Sequence, residues 1–209
     1  MSVDYTQSWA YAEDVCQEDA ITIAARQMAR EFSIPAVSPA VGAFLQTLAA
    51  ASRVHSAVEV GTGTGVSGLY LLGASSDISL TTIDIESEAQ QVAREAFGRA
   101  GIRPGRTRLI NGRSADILPR LASSSYDFVL VDGDPMEAAG DVQEALRILR
   151  PGGTIVLARA LCGGKVPDPA RREEDVVAIR SLGKELLDAA ELRSSLIPIG
   201  DGVLLAVVR

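Results

Sequence analysis

The feature that most constrains this chain is a run with three alternate glycines, Gly61, Gly63 and Gly65. Apolar residues precede the run, and an apolar pattern with helical spacing follows it from Val66. This order predicts a strand, a tight turn and a helix. Glycine lets the backbone approach a ligand closely, and the first turn of a helix presents free N–H groups. The run therefore predicts a ligand site at the end of a strand.

The residues around the glycines narrow the ligand to a nucleoside cofactor. Asp84 stands at the end of a second strand pattern, where an acid accepts hydrogen bonds from ribose hydroxyls. The register Gly63-x-Gly65-x-x-Gly68 fits a dinucleotide. Glu59, just before the turn, instead favours S-adenosylmethionine, which carries an ammonium and a sulfonium group. A nicotinamide oxidoreductase and a turn without ligand remain the alternatives.

The composition of the chain limits the classes of molecule that it is expected to bind. The net charge of −7 argues against non-specific binding to nucleic acid, which requires a basic surface. The sequence holds no apolar segment of the roughly 18 residues that a membrane span needs. The first residues lack the basic and apolar regions of a signal peptide, and two cysteines form no disulfide framework. We therefore expect a cytoplasmic protein with a small-molecule partner, without nucleic-acid or membrane partners.

The order of the patterns predicts an α/β fold. Strand and helix patterns alternate over residues 56–157, which indicates a parallel sheet with helices on both faces. The turn Gly200-Asp201-Gly202 joins the last two strands into an antiparallel hairpin. Long helical patterns cover residues 7–31, 40–52 and 169–190. At 209 residues the chain is expected to form a single domain, 1–209, in which the helices of residues 1–52 cover the site or form a dimer.

Several segments together resemble the cation-dependent O-methyltransferases, the family of the catechol and caffeoyl-coenzyme A O-methyltransferases, and within it an actinobacterial branch. These segments are Val37-Ser38-Pro39-Ala40-Val41-Gly42, Glu59 to Ser67, Thr82-Ile83-Asp84-Ile85-Glu86, Asp127 to Asp132, Leu149-Arg150-Pro151-Gly152-Gly153 and Pro198-Ile199-Gly200-Asp201-Gly202. The resemblance implies the class I methyltransferase Rossmann-like fold, with a seven-stranded, mostly parallel sheet. It also implies S-adenosylmethionine as cofactor and a homodimer.

The resemblance assigns cofactor roles residue by residue. Glu59 would hold the methionine ammonium or a nearby water, and Ser67, with the backbone near Val37, the methionine carboxylate. Asp84 would bind the ribose, and Ser114 would lie at the adenine edge. The floor under the methionine would consist of Gly61, Thr62 and Gly63.

The positions that bind the metal and contact the acceptor in the family carry different residues in this sequence. Asp132 would lie near the ammonium and the reacting methyl group, and it is one of three protein ligands that hold a divalent cation in the family. The other two ligands, an aspartate and an asparagine, fall on Ala158 and Arg159, and a lysine near the acceptor falls on Pro135. Because magnesium needs near-octahedral oxygen coordination, no divalent metal is expected.

Arg159 has two interpretations. Its permanent positive charge would stabilise an oxyanion or hold an acidic substrate, with Asp132 or Asp134 as the base. Alternatively, Arg159 simply forms an ion pair with Asp132. We predict Asp132 and Arg159 as catalytic residues of a metal-independent O-methyltransferase. The alternative function is a degenerate S-adenosylmethionine-binding or S-adenosylhomocysteine-binding protein with a regulatory or interaction role.

Overall fold

The computed structural model describes residues 6–209. The prediction that the first residues do not form a signal peptide falls on residues 1–5, outside the described residues. Seven strands form one sheet. They are β1 (Ser56–Val60), β2 (Ser79–Asp84), β3 (Thr107–Asn111), β4 (Tyr126–Val131), β5 (Leu149–Ala158), β6 (Leu192–Ile197) and β7 (Val203–Val208). Their order is β3-β2-β1-β4-β5-β7-β6. The first five strands run parallel, and β7 pairs antiparallel with both β5 and β6.

Eight α-helices occur in the described residues. They are α1 (Thr6–Asp14), α2 (Ala20–Glu31), α3 (Pro39–Ala51), α4 (Val66–Ala74), α5 (Ser87–Arg99), α6 (Ser114–Ile117), α7 (Ala138–Ile148) and α8 (Glu174–Asp188). Two short 3-10 turns, Pro104–Arg106 and Leu118–Arg120, precede β3 and extend α6. Each helix within residues 6–209 is too short or too polar to span a bilayer. The predicted fold class, with its terminal hairpin, is confirmed.

The core lies on both faces of the sheet. In β4, Val129 and Val131 belong to the apolar cluster that packs under α7 and α8. Phe128 and Leu130, which alternate with them, belong to the cluster under α3, α4 and α5. All four side chains are fully buried, as expected for a central parallel strand covered by helices on both faces.

Three element boundaries differ from the sequence-based expectation. The helical pattern over residues 7–31 is two helices, because Asp19 interrupts it and caps α2 by accepting from the backbone N–H of Thr22 at 2.7 Å. Helix α8 begins at Glu174 rather than at residue 169. The sequence pattern predicts the fifth strand over residues 154–157, whereas β5 begins at Leu149, and its pairing with β4 shifts register near the start.

Side chains of α1 and α2 position the segment that enters α3. Glu13 of α1 accepts hydrogen bonds from the Ser38 hydroxyl at 2.7 Å and from the backbone N–H of Ala40 at 2.9 Å. Arg26 of α2 donates to the Val37 carbonyl at 2.6 Å and pairs with Glu18 at 2.6 Å. These contacts hold the chain between α2 and α3 against the body of the fold.

Candidate active site

A cleft opens at the carboxyl ends of β1, β2 and β4, where the strand order reverses. Open α/β sheets bind ligands at this position. The cavity measures about 290 Å³, close to the lower end of the roughly 300–1,000 Å³ typical of small-molecule sites. Most of the predicted site residues line it, namely Gly61, Thr62, Gly63, Ser67, Asp84, Ser114, Asp132 and Arg159. Val37 and Glu59 are not among the lining residues.

The glycine turn packs tightly against its neighbours. Gly61 has φ of 93°, and a Cβ there would lie 2.5 Å from the carbonyl oxygen of Asp132. Gly65 has φ of 90° at the start of α4, and a Cβ there would lie 2.9 Å from the Cβ of Ala93. Both positions therefore require glycine for backbone conformation and for close chain packing. The first residues of α4, Val66 and Ser67, line the cleft, and the first N–H groups of a helix have no partner within the helix.

Asp84 closes the turn from the second strand. Its Oδ2 accepts from the backbone N–H of Gly63 at 2.7 Å, and its Oδ1 accepts from that of Glu86 at 2.9 Å. A carboxylate has about four lone-pair positions, so each oxygen keeps one position free for a further donor. The side chain is thus held at the cleft wall in a form that suits two ribose hydroxyls.

Glu59 lies beneath the cleft rather than in it. Its side chain is fully buried, and its two oxygens accept from the hydroxyls of Ser67 and Thr82, each at 2.6 Å. Burial raises the pKa of Glu59 to about 7, although these two hydrogen bonds oppose the shift. The predicted contact between Glu59 and a methionine ammonium stays a prediction, because Glu59 reaches the cleft through Ser67.

The charge of Glu59 determines the direction in which the neighbouring hydroxyl groups donate their hydrogen bonds. An ionised carboxylate only accepts, so Ser67 and Thr82 each spend their single proton on Glu59. The Oγ1 atoms of Thr82 and Thr62 lie 2.7 Å apart, so Thr62 must donate to Thr82. Gln90 then donates to Thr62 at 3.2 Å. While Glu59 is ionised, Ser67 therefore offers the cleft a lone pair, which suits an ammonium, and the N–H groups of α4 suit a carboxylate.

The backbone at Val37 stands behind the cleft wall. Val37 is buried, and its carbonyl is occupied by Arg26. The residues just before it, Ile34, Pro35 and Ala36, line the cleft in its place. The segment predicted to meet the methionine is therefore adjacent to the site, and the contact assigned to Val37 stays a prediction.

Arg159 and Asp132 form a partly buried ion pair at the ends of β5 and β4. The Nε atom of Arg159 donates to Oδ1 of Asp132 at 2.7 Å. Its Nη2 atom donates to the backbone carbonyls of Asp132 and Gly133 at 2.7 and 2.6 Å. Arg159 adopts φ of 54°, in the left-handed region. Burial raises the pKa of Asp132, and the Arg159 guanidinium opposes that shift.

With these contacts in place, the side chains at the ends of β4 and β5 lack the oxygen ligands that the divalent cation implied by the resemblance would need. Arg159 supplies only N–H donors, and the side chain of Ala158 has no donor atom for a metal. Within residues 6–209, no three His, Cys, Asp or Glu side chains form a group that would hold a metal ion. The residues therefore do not fit a divalent cation, and the guanidinium takes the carboxylate that would have bound it. Nη1 of Arg159 makes no hydrogen bond within the described chain.

One cleft residue escaped the sequence-based prediction. Asp141 of α7 lines the cleft, retains 2% exposure, and has an Oδ2 atom without a hydrogen-bond partner in the described structure. Its buried neighbours on the helix are Ala138, Val142 and Ala145. An aspartate at helical spacing within an apolar face was the available signal, since charged residues are rarely buried unless they are paired.

The sequence as a whole matches a known family. Residues 8–209 fit the family model described as O-methyltransferase. The chain belongs to the O-methyltransferase family. A protein of Mycobacterium avium named as a candidate O-methyltransferase is 50% identical over 199 residues, covering 95% of this chain and 90% of that protein. The predicted family is thereby confirmed.

Solved structures of similar proteins share the fold. A crystal structure of a Corynebacterium glutamicum protein superposes with a TM-score of 0.89 at 33% identity, covering 98% of this chain and 96% of that one. The O-methyltransferase TomG of Streptomyces achromogenes, involved in tomaymycin synthesis and solved with S-adenosylmethionine, gives 0.86 at 28% identity, covering 99% of each chain. A Bacillus cereus O-methyltransferase with bound S-adenosylhomocysteine gives 0.85 at 25% identity, covering 98% of each.

Proposed function

We propose that this O-methyltransferase transfers the methyl group of S-adenosylmethionine to an oxygen of a small-molecule acceptor without a divalent cation. The observation that carries the proposal is the position of Arg159, whose guanidinium occupies the carboxylate of Asp132 at 2.7 Å. A second positive charge, that of a metal ion, would be repelled at this distance. The charge needed beside the acceptor oxygen is then supplied by the protein itself.

The cleft suits a cationic nucleoside cofactor. Its carboxylate-bearing wall residues are Asp84, Asp132, Asp134, Glu137 and Asp141. Asp84 would take the ribose hydroxyls, and the Oδ2 of Asp132, free of hydrogen bonds within residues 6–209, would take the methionine ammonium. S-adenosylmethionine supplies a methyl carbon that is already activated by its sulfonium group. Two family members that were solved with this cofactor or its product support the same binding in this chain.

The remaining chemistry is alignment of the acceptor and removal of its proton. A phenol with a pKa of about 10 is a poor nucleophile at neutral pH unless its anion is stabilised. Nη1 of Arg159 offers two free N–H donors at the cleft wall, which would stabilise that anion. Asp132 is committed to its ion pair, so the exposed Asp134 is the better base. Close approach of oxygen and methyl then accounts for the rest of the rate.

The same contacts support a second candidate function. Nε and both hydrogens of Nη2 of Arg159 are spent on Asp132 and Gly133, so most of the guanidinium serves the fold. A chain that binds the cofactor and has lost transfer, acting as a regulatory or interaction protein, would have such a site. This alternative differs from the enzyme by a single observable, the transfer of methyl to an acceptor.

The other expected properties belong to the same proposal. We propose a homodimer, since Trp9 and Tyr11 on α1 are 53% and 70% exposed and exposed aromatic residues favour an interface. We further propose a cytoplasmic enzyme whose partner is a small-molecule acceptor, without nucleic acid or a membrane. The helices of residues 1–52 would then cover the site or form the dimer contact, within a single domain of residues 1–209.

Methyl transfer in a chelator tests the proposal. The purified chain is incubated with methyl-labelled S-adenosylmethionine and a panel of catechols, other phenols and hydroxy acids, with EDTA or with magnesium. The proposal expects label in at least one acceptor, at equal rates in both conditions, and less label with Asp134→Asn. Transfer that EDTA abolishes and magnesium restores would refute metal independence. Tight S-adenosylhomocysteine binding without label in any acceptor would favour the regulatory alternative.

A further inference from the structure

Asp141 presents an unpaired acceptor inside the cleft. The side chain is almost wholly buried, and its Oδ2 has no hydrogen-bond partner among the described residues. Buried polar atoms are paired in nearly all native proteins, because an unpaired one keeps the full penalty of losing water. Asp127 holds the other such oxygen, and that atom lies 2.7 Å from Arg150 in an ion pair. Asp141 has no comparable cationic partner in the structure, so its oxygen is available to a ligand.

The surroundings of Asp141 define which part of the cleft it serves. Burial raises the pKa of its carboxyl, and the nearby Ser114 side chain opposes that shift. Ser114 begins α6 and lines the same cleft, as do Gly112 and Gly133. A Cβ at Gly133 would lie 3.7 Å from Oδ2 of Asp141, so this oxygen faces the chain just after the end of β4. The carboxylate thus lines the cleft between the segments that follow β3 and β4.

The ligand group that meets this oxygen must be a hydrogen-bond donor, because an ionised carboxylate only accepts. An adenosyl cofactor has three sets of donors: the ribose hydroxyls, the methionine ammonium and the adenine 6-amino group. Asp84 at the end of β2 faces the first set, and Asp132 at the end of β4 faces the second. Asp141 approaches both Gly133, which follows β4, and Ser114 of α6, which follows β3. Ser114 is the residue expected at the adenine edge, so the 6-amino group is the donor that we assign to Asp141.

We propose that Asp141 is a specificity-determining residue whose Oδ2, beside Ser114, accepts a hydrogen bond from the 6-amino group of adenine. The inference rests on the adenosyl cofactor of the proposed function, and it does not require methyl transfer. It assigns to the site a preference for a 6-amino purine over a 6-oxo purine. In the oxo form a carbonyl oxygen would face the carboxylate, and two acceptors repel each other.

Calorimetric binding tests this preference with two ligands that differ at one group. S-adenosylhomocysteine carries the 6-amino group, and S-inosylhomocysteine carries a 6-oxo group in its place. For the wild-type chain we expect the adenosyl form to bind at least about tenfold more tightly, the effect of one hydrogen bond to a charged group. In Asp141→Asn the amide N–H donates to the oxo group, so the ratio should fall to about one or reverse.

Two control variants separate this residue from its neighbours. Asp116→Asn makes the same chemical change on an exposed side chain of α6 and should keep the wild-type ratio. Glu137→Gln changes another carboxylate of the cleft wall, which is paired with Arg113, and should also keep it. A ratio that changes in Glu137→Gln and not in Asp141→Asn would overturn the inference.

The wild-type measurement decides the matter even if Asp141→Asn does not fold. A wild-type chain that binds both ligands within about twofold of each other has no such hydrogen bond, and the inference is then wrong while the proposed cofactor stands. A chain that binds neither ligand would overturn the proposed function as well. A tenfold wild-type preference that is lost in Asp141→Asn supports the assignment.

Discussion

Replacing Arg159 by alanine tests the contacts that hold Asp132 at the wall of the cleft. The substitution removes the hydrogen bond from Nε to Asp132 and the two bonds from Nη2 to the carbonyls of Asp132 and Gly133. The Asp132 carboxylate, whose side chain is 6% exposed, would then have no cation beside it. We expect both a loss of stability and a rise in the pKa of Asp132, because burial would then act on that carboxyl unopposed.

The size of the stability loss follows from the burial of the two partners. Breaking a fully buried ion pair costs about 3–5 kcal/mol, whereas an exposed pair contributes about 0–1 kcal/mol. The Arg159 side chain is 29% exposed, so water partly replaces its contacts with the two carbonyls. The pair stands between the two limits, and we expect a loss of about 2–3 kcal/mol in the free energy of unfolding.

Urea unfolding followed by circular dichroism measures this loss. Arg113→Ala is the matched control, because it removes an arginine from an ion pair whose cation is 64% exposed, and we expect a change below about 0.5 kcal/mol there. Arg159→Lys should recover only part of the loss, since lysine lacks the planar set of donors that reaches both carbonyls. If Arg159→Ala unfolds within about 0.5 kcal/mol of wild type, the account of this ion pair is wrong.

Four further outcomes follow. Asp84→Ala should weaken S-adenosylhomocysteine binding by about tenfold or more in calorimetry, since both the turn and the ribose lose an acceptor; equal affinity would contradict the role of Asp84. Arg159→Asn alone should bind no magnesium in an isothermal titration, whereas adding Ala158→Asp restores three oxygen ligands and should bind it; binding by the single variant would contradict the ligand count. Burial raises the pKa of Glu59 from 4.5 to about 7, so its neutral form stabilises the fold below pH 4.5 and that stability is lost as the pH rises to about 7. Relative to wild type, Glu59→Gln should therefore gain stability across this range, by up to about 3 kcal/mol in urea unfolding, and a flat difference would contradict the shift. Light scattering at micromolar concentration should give the mass of a dimer, and a monomer mass would refute the homodimer.

The fold was largely predictable because its signals are local. The alternate glycines, the buried strands on either side and the turn at residues 200–202 each specify a short-range conformation. The boundaries that differed depend on contacts the local pattern does not contain. Asp19 divides the first helical pattern by capping α2, and β5 starts early where its pairing with β4 shifts register. Helix propensity alone predicts neither event.

The sequence predicted most of the residues that line the candidate site, but fewer of the contacts that those residues make. The ion pair of Arg159 with Asp132 was one of two interpretations, because the ends of neighbouring strands meet at one edge of a sheet. The burial of Glu59 beneath Ser67 needed the packing of α4 on the sheet. The helical spacing of Asp141 within an apolar face indicates its burial, but its unpaired oxygen required the same three-dimensional information.

A crystal structure of the wild-type chain, grown with S-adenosylhomocysteine and abundant magnesium, tests the central claim most directly. The account predicts the ribose on Asp84, the adenine amino group facing Asp141, and the guanidinium of Arg159 still paired with Asp132, with no metal beside it. Six-coordinate magnesium on Asp132, with Arg159 displaced from the carboxylate, would contradict metal-independent transfer and the ion pair that supports it.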